Sequence, residues 1–234
     1  MNKETVAKKL NTSEISRVGL TLSSPDQIRN QGVLVIENPF TIGPEGLPIP
    51  FGLSDPRLGA INKSESCRTC ERSFKDCRGH FGTIELEAPV FNILFLKLFS
   101  RLLSDFCHNC GFKIGVKPCS NCTHVNIPAK VGSIGIVYRE EEHWPLAEVR
   151  EFLSKIKDQD LESKGLFNNG VRPEWMISYV IPVPPLKTRP TIFLESGGRA
   201  EDDLTYKLID IIKTNLKIKA LKEQELESPI REVS

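Results

Sequence analysis

A chain of 234 residues with 39% hydrophobic residues can bury a core, and its length accommodates one domain or two. Thirty-one basic against thirty acidic side chains leave a net charge of +1, so no global field advertises a nucleic-acid or membrane partner and any such contact must come from a local patch. The N-terminal MNKETVAKKLN lacks an apolar signal region, and the longest apolar stretch, Val90 to Phe106, is interrupted by Asn92, Lys97, Ser100, Arg101, Ser104 and Asp105, which excludes a bilayer span and favours the cytosol or nucleus.

In chain order, loose alternation from Ile15 to Leu22 predicts a strand. A short helix should follow, capped by Ser24 with Pro25 at its first position and Gln27 closing a capping box. Val33 to Ile36 predicts a second strand, and the Gly- and Pro-rich run from Asn38 to Arg57 an extended, ordered loop whose apolar residues argue against disorder. Next comes CRTCERSFKDCRGH, then a helix starting near Pro89 on which Phe91, Leu94, Phe95, Leu98, Phe99, Leu102, Leu103 and Phe106 recur at three- and four-residue steps. That stripe is read as core, with a partner-binding face as the rival. It runs into CHNCGFKIGVKPCSNC. Val131 to Tyr138 predicts a strand; Pro145 opens a helix bearing Leu146, Val149, Phe152, Leu153 and Ile156; Met176 to Val183 and Thr191 to Leu194 predict strands bounded by prolines. A last helix should run from Ala200 to Leu226, started by Glu201, Asp202 and Asp203, with Leu204, Leu208, Ile211, Ile212 and Leu216 as its apolar stripe. Its Lys207, Lys213, Lys217, Lys219 and Lys222 suit a solvated face or a phosphate backbone.

All seven cysteines lie between Cys67 and Cys122. In a reducing compartment such clustering points to metal rather than disulfides. Cys67-x2-Cys70 with Cys77-x2-His80 gives two ligand pairs on two tight turns; Cys107-x2-Cys110 with Cys119-x2-Cys122 has the form of a zinc ribbon. Seven cysteines and one histidine make two sets of four with no cysteine left over. Free buried thiols, a redox Cys-x-x-Cys and an iron–sulfur cluster compete with zinc; zinc is the favoured reading. Four protein ligands leave no open coordination position, so two structural Zn2+ ions are expected, not a catalytic one. His108 and His124 are possible stand-ins for a neighbouring cysteine, and His143 a surface or packing residue. The sequence contains no phosphate-cradling loop, nucleophile elbow or evident triad.

The segments LSSPDQIRNQGVLVI, GLSDPRLGAI, CRTCERSFKDCRGHFGTIELEAPVFNI and RPEWMISYVIPVPPLKTRPTIFLESGGRAEDDLTYKLIDII, in this order and over nearly the whole chain, resemble the N-terminal clamp region of the largest subunit of multisubunit RNA polymerase, most closely the archaeal A-prime subunit and its eukaryotic counterparts. The resemblance implies an α+β fold: an irregular zinc-stabilised clamp module with a few short strands and about four helices. It divides into N-terminal clamp-core strands and loop (1–66), a clamp head with both zinc sites (67–130) and clamp core ending in a long helix (131–234). The family's two zinc sites fall on Cys67, Cys70, Cys77 and His80, and on Cys107, Cys110, Cys119 and Cys122. Between the second site's cysteine pairs the family usually has a long insertion, where only eight residues stand here, which implies a smaller clamp head.

By the same resemblance the partners are the rest of the largest subunit, the second-largest subunit, DNA, the RNA–DNA hybrid and transcription initiation factor E, in the cytoplasm for an archaeal protein or the nucleus for a eukaryotic one. Templated nucleotidyl transfer uses Mg2+ held on a loop of aspartates that this sequence lacks. The chain alone should therefore be inactive, and it is expected to be a clamp fragment or a split-gene product that assembles with the remaining subunit. The alternative is a free-standing zinc-ribbon protein that binds nucleic acid or regulates transcription.

Overall fold

The computed structural model describes residues 15, 16, 18, 21–62, 64–114, 118–132, 136–139, 142–162, 170–193 and 199–231, with side chains to residue 224. Among these the chain forms five α-helices and three small sheets, an α+β arrangement. The expected capping box is present: Ser24 Oγ accepts from the Gln27 amide and Gln27 Oε1 from the Ser24 amide, starting α1 (Pro25–Gln31).

The central sheet is β1 (Gly32–Val35), β2 (Phe81–Phe91) and β6 (Ile177–Val183), in the order β1-β2-β6. β1 runs parallel to β2 and β6 antiparallel to it. The crossover between β1 and β2 carries the first cysteine cluster, so that cluster hangs from one edge of the sheet. Beyond β2 come α2 (Leu96–Asp105), the second cluster, the antiparallel sheet of β3 (Ala129–Val131), β4 (Val137–Arg139) and β5 (Glu142–Trp144), and then α3 (Leu146–Ser154) and α4 (Asp158–Glu162). A two-stranded pair, β7 (Ile192–Phe193) and β8 (Arg199–Ala200), precedes the long α5 (Asp203–Arg231).

Two apolar cores share the β2–β6 pair. One gathers Phe91, Phe99, Leu102, Leu103 and Phe106 with Val137, Trp144, Val149, Phe152, Leu153, Met176 and Ile177. The stripe is core as expected at Phe99, Leu102, Leu103 and Phe106, each fully buried Leu or Phe contributing about 1.5–3 kcal/mol, whereas Leu94, expected on it, is exposed. The other packs Leu34, Ile36, Leu53, Leu58, Ile84 and Val183 against Leu208 and Ile212 of α5. Leu204 and Leu216, expected on that helix's apolar stripe, are instead about two-fifths exposed.

Four further expectations are corrected. The segment taken to open a helix at Pro89 is the end of β2, and α2 starts only at Leu96, after a 3-10 turn in which Asn92 Oδ1 accepts from the Leu94 amide. Pro89 sits where the β2–β6 register breaks between Glu85 and Val90, so its missing N–H costs no ladder bond. Asn215 of α5 serves main-chain groups freed at this irregularity: its Nδ2 donates to Glu85 O at 2.8 Å and its Oδ1 accepts from the Glu87 amide at 2.7 Å. Second, the single strand from Val131 to Tyr138 is two antiparallel strands, β3 and β4. Third, α4 is a short helix that no sequence pattern had marked. Fourth, Ala200 belongs to β8, and α5 begins at Asp203. Of the strand expected at Ile15 to Leu22, residues 17, 19 and 20 lie outside the described residues, and the others are irregular. Leu194 also lies outside them.

Candidate metal centres

The four ligand atoms of Cys67, Cys70, Cys77 and His80 lie within 4.8 Å of one another, as do those of Cys107, Cys110, Cys119 and Cys122. Zinc–sulfur bonds of about 2.3 Å in a tetrahedron set sulfur–sulfur edges near 3.8 Å. The observed separations match: Cys107 to Cys122 is 3.6 Å, Cys110 to Cys119 3.8 Å, and Cys77 Sγ to His80 Nε2 3.7 Å. A disulfide would require about 2.05 Å, and every cysteine is free. The donor sets, three thiols with an imidazole and four thiols, suit tetrahedral Zn2+ and leave no position for substrate.

The sequence builds these clusters by repeating one turn. At Cys67, Cys107 and Cys119 the cysteine amide donates to the carbonyl five residues on (Arg72, Phe112, His124), while the residue four positions on (Glu71, Gly111, Thr123) donates back to the cysteine carbonyl at 2.8 Å. That fourth residue is left-handed in all three, with φ of 59°, 69° and 57°. At Cys77 the turn is tighter: Gly79, at φ 88°, donates its amide to Cys77 Sγ at 3.3 Å. The Thr69 amide similarly points at Cys67 Sγ at 3.4 Å. Such amide contacts compensate thiolate charge.

Within each cluster the thiol pKa values are displaced in opposite directions. His80 foremost, helped by the Arg72 backbone, draws the Cys70 thiol down to about 6, whereas burial pushes Cys77 up. In the second cluster burial pushes Cys107 up to about 12, and the backbone at His124 draws Cys122 down. A divalent cation among four sulfurs removes the burial penalty on the thiolate, so metal binding is coupled to proton release.

Each cluster is seated on a different core. Residues 51–58 carry the first. Buried Asp55 accepts from the Phe51 and Arg57 amides at 2.9 Å and forms a two-point pair with the Arg57 guanidinium at 2.7 and 2.9 Å. Burial opposes ionisation of Asp55, but Arg57 and these amides outweigh it and hold the carboxyl below its usual range. The loop so fixed receives the Arg68 amide on Pro56 O, the Thr69 hydroxyl on Arg57 O and the His80 amide on Leu58 O. Sequence reasoning missed this seat, although an Asp directly before Pro-Arg is an N-cap signal that could have found it.

The second cluster docks through His108 and Gly111. His108 is no metal ligand: its Nε2 donates to Leu103 O at 2.8 Å, and its buried ring lies 5.0 Å from Trp144 and 5.2 Å from Phe152. Burial lowers its pKa, and its Nδ1 has no partner among the described residues. His124 contributes its backbone to the knuckle. A Cβ on Gly111 would lie 2.6 Å from the carbonyl carbon and oxygen of Lys155, directly after α3.

The family model for RNA polymerase Rpb1, domain 1, matches residues 12–124 and 112–233. The chain is similar to the DNA-directed RNA polymerase subunit Rpo1N of Methanocaldococcus jannaschii, at 37% identity over 86% of this chain and 18% of that protein. It is similar also to the Rpo1N subunits of Methanothermobacter thermautotrophicus and Thermococcus celer, each at 35% identity over 88% of this chain and 28% of the relative. The chain thus spans less than a third of the length of these relatives.

Proposed function

The chain belongs to the RNA polymerase Rpb1, domain 1, family, and from that premise we propose that it forms the N-terminal clamp portion of the largest subunit of a DNA-directed RNA polymerase. On this reading residues 67–130 are the clamp head, and residues 1–66 and 131–234 supply clamp core. Cys67, Cys70, Cys77 and His80 hold one Zn2+; Cys107, Cys110, Cys119 and Cys122 hold the second. Both ions are structural. The observation that carries the proposal is the pair of four-ligand clusters with tetrahedral spacing, each bonded to a separate core of the same body.

The physical task is to close over DNA and the RNA–DNA hybrid as a unit. Knuckles of this size bury little apolar surface, so they need ties, and structural zinc supplies folding free energy, ~10 kcal/mol or more apparent in small zinc modules. Thiolates and imidazole fix the turns; Asp55, Arg57, His108 and Gly111 fix the turns to the cores. Nucleotidyl transfer belongs to the remainder of the enzyme, where carboxylate-bound Mg2+ stabilises the attacking and leaving oxygens, and this chain by itself is inactive. Its partners are the remaining polymerase subunits, template DNA and transcription initiation factor E, in the cytoplasm of an archaeal-type cell. Among the described residues no helix is long and apolar enough to cross a membrane.

Affinity purification of the native complex through this chain tests the proposal. Recovery of the rest of the largest subunit and the second-largest subunit is the expected result. Recovery of the chain alone, never with the second-largest subunit, refutes it.

A further inference from the structure

Arg189 is the largest wholly buried side chain among the described residues, 2% exposed. Arginine is seldom shielded to this extent unless a carboxylate pairs with it. Its hydrogen-bond acceptors here are uncharged, and they lie on three separate parts of the chain. Nε donates to Pro184 O at 3.0 Å, within its own turn. Nη2 donates to Leu53 O at 2.5 Å, in the loop that seats the first metal cluster, and Nη1 donates to Thr205 Oγ1 at 3.4 Å, in the first turn of α5. Leu53 and Thr205 are themselves fully buried. Burial draws the guanidinium down to about 10 against the longer-range pull of Glu201 and Asp202, so it stays charged at neutral pH. In such a low-dielectric setting each bond is strengthened, and an acceptor left bare loses its hydration with nothing in return.

The turn that carries Arg189 also meets the first cluster directly. A Cβ on Gly79, beside the ligands Cys77 and His80, would lie 2.4 Å from Pro185 Cβ, so the two backbones leave no room for a side chain between them. Lys187 Nζ donates to Lys75 O at 3.4 Å and lies 5.4 Å over the Phe74 ring. Further along, Thr191 Oγ1 donates to Glu201 Oε2 at 2.7 Å, joining the two ends of the β7–β8 pair just ahead of α5. The second cluster is an internal control. It rests on Leu103 and Lys155, over the core to which α5 contributes no buried residue.

We propose that Arg189 couples occupancy of the first metal site to the start of α5, so that the two order and loosen together while the second site stands apart. The proposal rests on the reading of Cys67, Cys70, Cys77 and His80 as a zinc site. A planar fork of N–H groups aimed in three directions is satisfied only while the seat of the cluster, the turn and the helix keep their relative positions. Loss of the ion slackens the cluster against residues 51–58 and Pro185, draws Leu53 O away from the guanidinium, and thereby loosens its hold on Thr205. Linkage makes the effect reciprocal: ordering of the first turn of α5 tightens zinc at the first site by the same factor. The rival route runs through apolar packing alone, since Leu53 and Leu58 share a core with Leu208 and Ile212.

The test is hydrogen exchange of the Tyr206 to Leu208 amides in the zinc-loaded full chain, with the zinc content of every variant measured alongside. Cys70→Ser, which removes the first ion, should speed exchange at these amides at least about 5-fold, the lower end of ordinary coupling between sites. Cys110→Ser, which removes the second, should leave them at the native rate. Arg189→Met keeps an apolar stem and removes every donor. In that background Cys70→Ser should change the same rates by no more than about 2-fold, the scatter expected of independent sites. If Arg189→Met does not fold, Thr205→Val, which removes only the hydroxyl that Nη1 reaches, takes its place with the same expectation. Equal responses to Cys70→Ser and Cys110→Ser overturn the proposal. So does a response to Cys70→Ser that persists undiminished in Arg189→Met or Thr205→Val, which would assign the coupling to the shared core. These outcomes remove the coupling and leave the metal site standing, whereas a native chain that takes up no zinc at the first site overturns both.

Discussion

Replacing Gly111 with Ala should undock the second metal cluster from α3. Two costs combine. At φ 69° an L-residue costs about 1–2 kcal/mol, and the new Cβ would meet the Lys155 carbonyl carbon and oxygen at 2.6 Å and the Ile156 amide nitrogen at 2.9 Å. These are backbone atoms, so the knuckle itself must shift, and overpacking of this kind adds about 1–3 kcal/mol. The sum is about 2–5 kcal/mol, which at about 2–4 °C per kcal/mol for a chain of this size is a fall in Tm of roughly 4–20 °C. Glu71 and Thr123 occupy the same turn position at φ 59° and 57° with side chains in place, so they isolate the backbone cost. Glu71→Gly and Thr123→Gly should change stability by no more than about 1 kcal/mol. Thermal unfolding of the three zinc-loaded variants, followed by circular dichroism, gives the comparison. If Gly111→Ala melts with the native chain, the close approach to α3 does not hold the cluster.

Asp55→Ala removes the two-point pair and two amide bonds and should cost about 2–4 kcal/mol, read as a lower denaturant midpoint. The Asp55 carboxyl is held low in the fold, so its stabilisation is complete above the ordinary carboxylate range and fades as pH falls through the folded value; the variant's deficit should shrink in acid. His108→Ala should cost about 2–4 kcal/mol and blue- or red-shift Trp144 emission, while zinc content stays at two, because the ring docks the knuckle without touching metal. Zinc retention measured across pH should decline towards acid, since protons compete with the metal for the thiolates, and retention that rises in acid would contradict the ligand assignment.

The gathering of Cys67, Cys70, Cys77 and His80, and of Cys107, Cys110, Cys119 and Cys122, was legible in the sequence because paired Cys-x2-Cys and Cys-x2-His turns bring their side chains to a common centre. Helix α2 was legible in its later turns for a similar reason: Phe99, Leu102 and Leu103 mark a 3.6-residue period. Its start was not, because Phe91 and Phe95 fit the helical stripe while Phe91 ends a strand. The alternation of Ile84, Leu86, Ala88 and Val90 carried that strand, and Pro89 obscured it; a proline at a register break is harmless, but only the partner strand β6 reveals the break. Residues such as Asp55, His108 and Asn215 escaped because their roles are long-range. Asn215 bonds residues 128 and 130 positions away, and no local pattern encodes such a pairing. The long helix shows the converse, since Leu204 and Leu216 keep the period yet stay exposed.

Native mass spectrometry of the purified chain tests the central claim most directly. The account predicts a mass carrying two zinc ions, reduced to one by either Cys70→Ser or Cys110→Ser. A chain that folds with one zinc or none contradicts it.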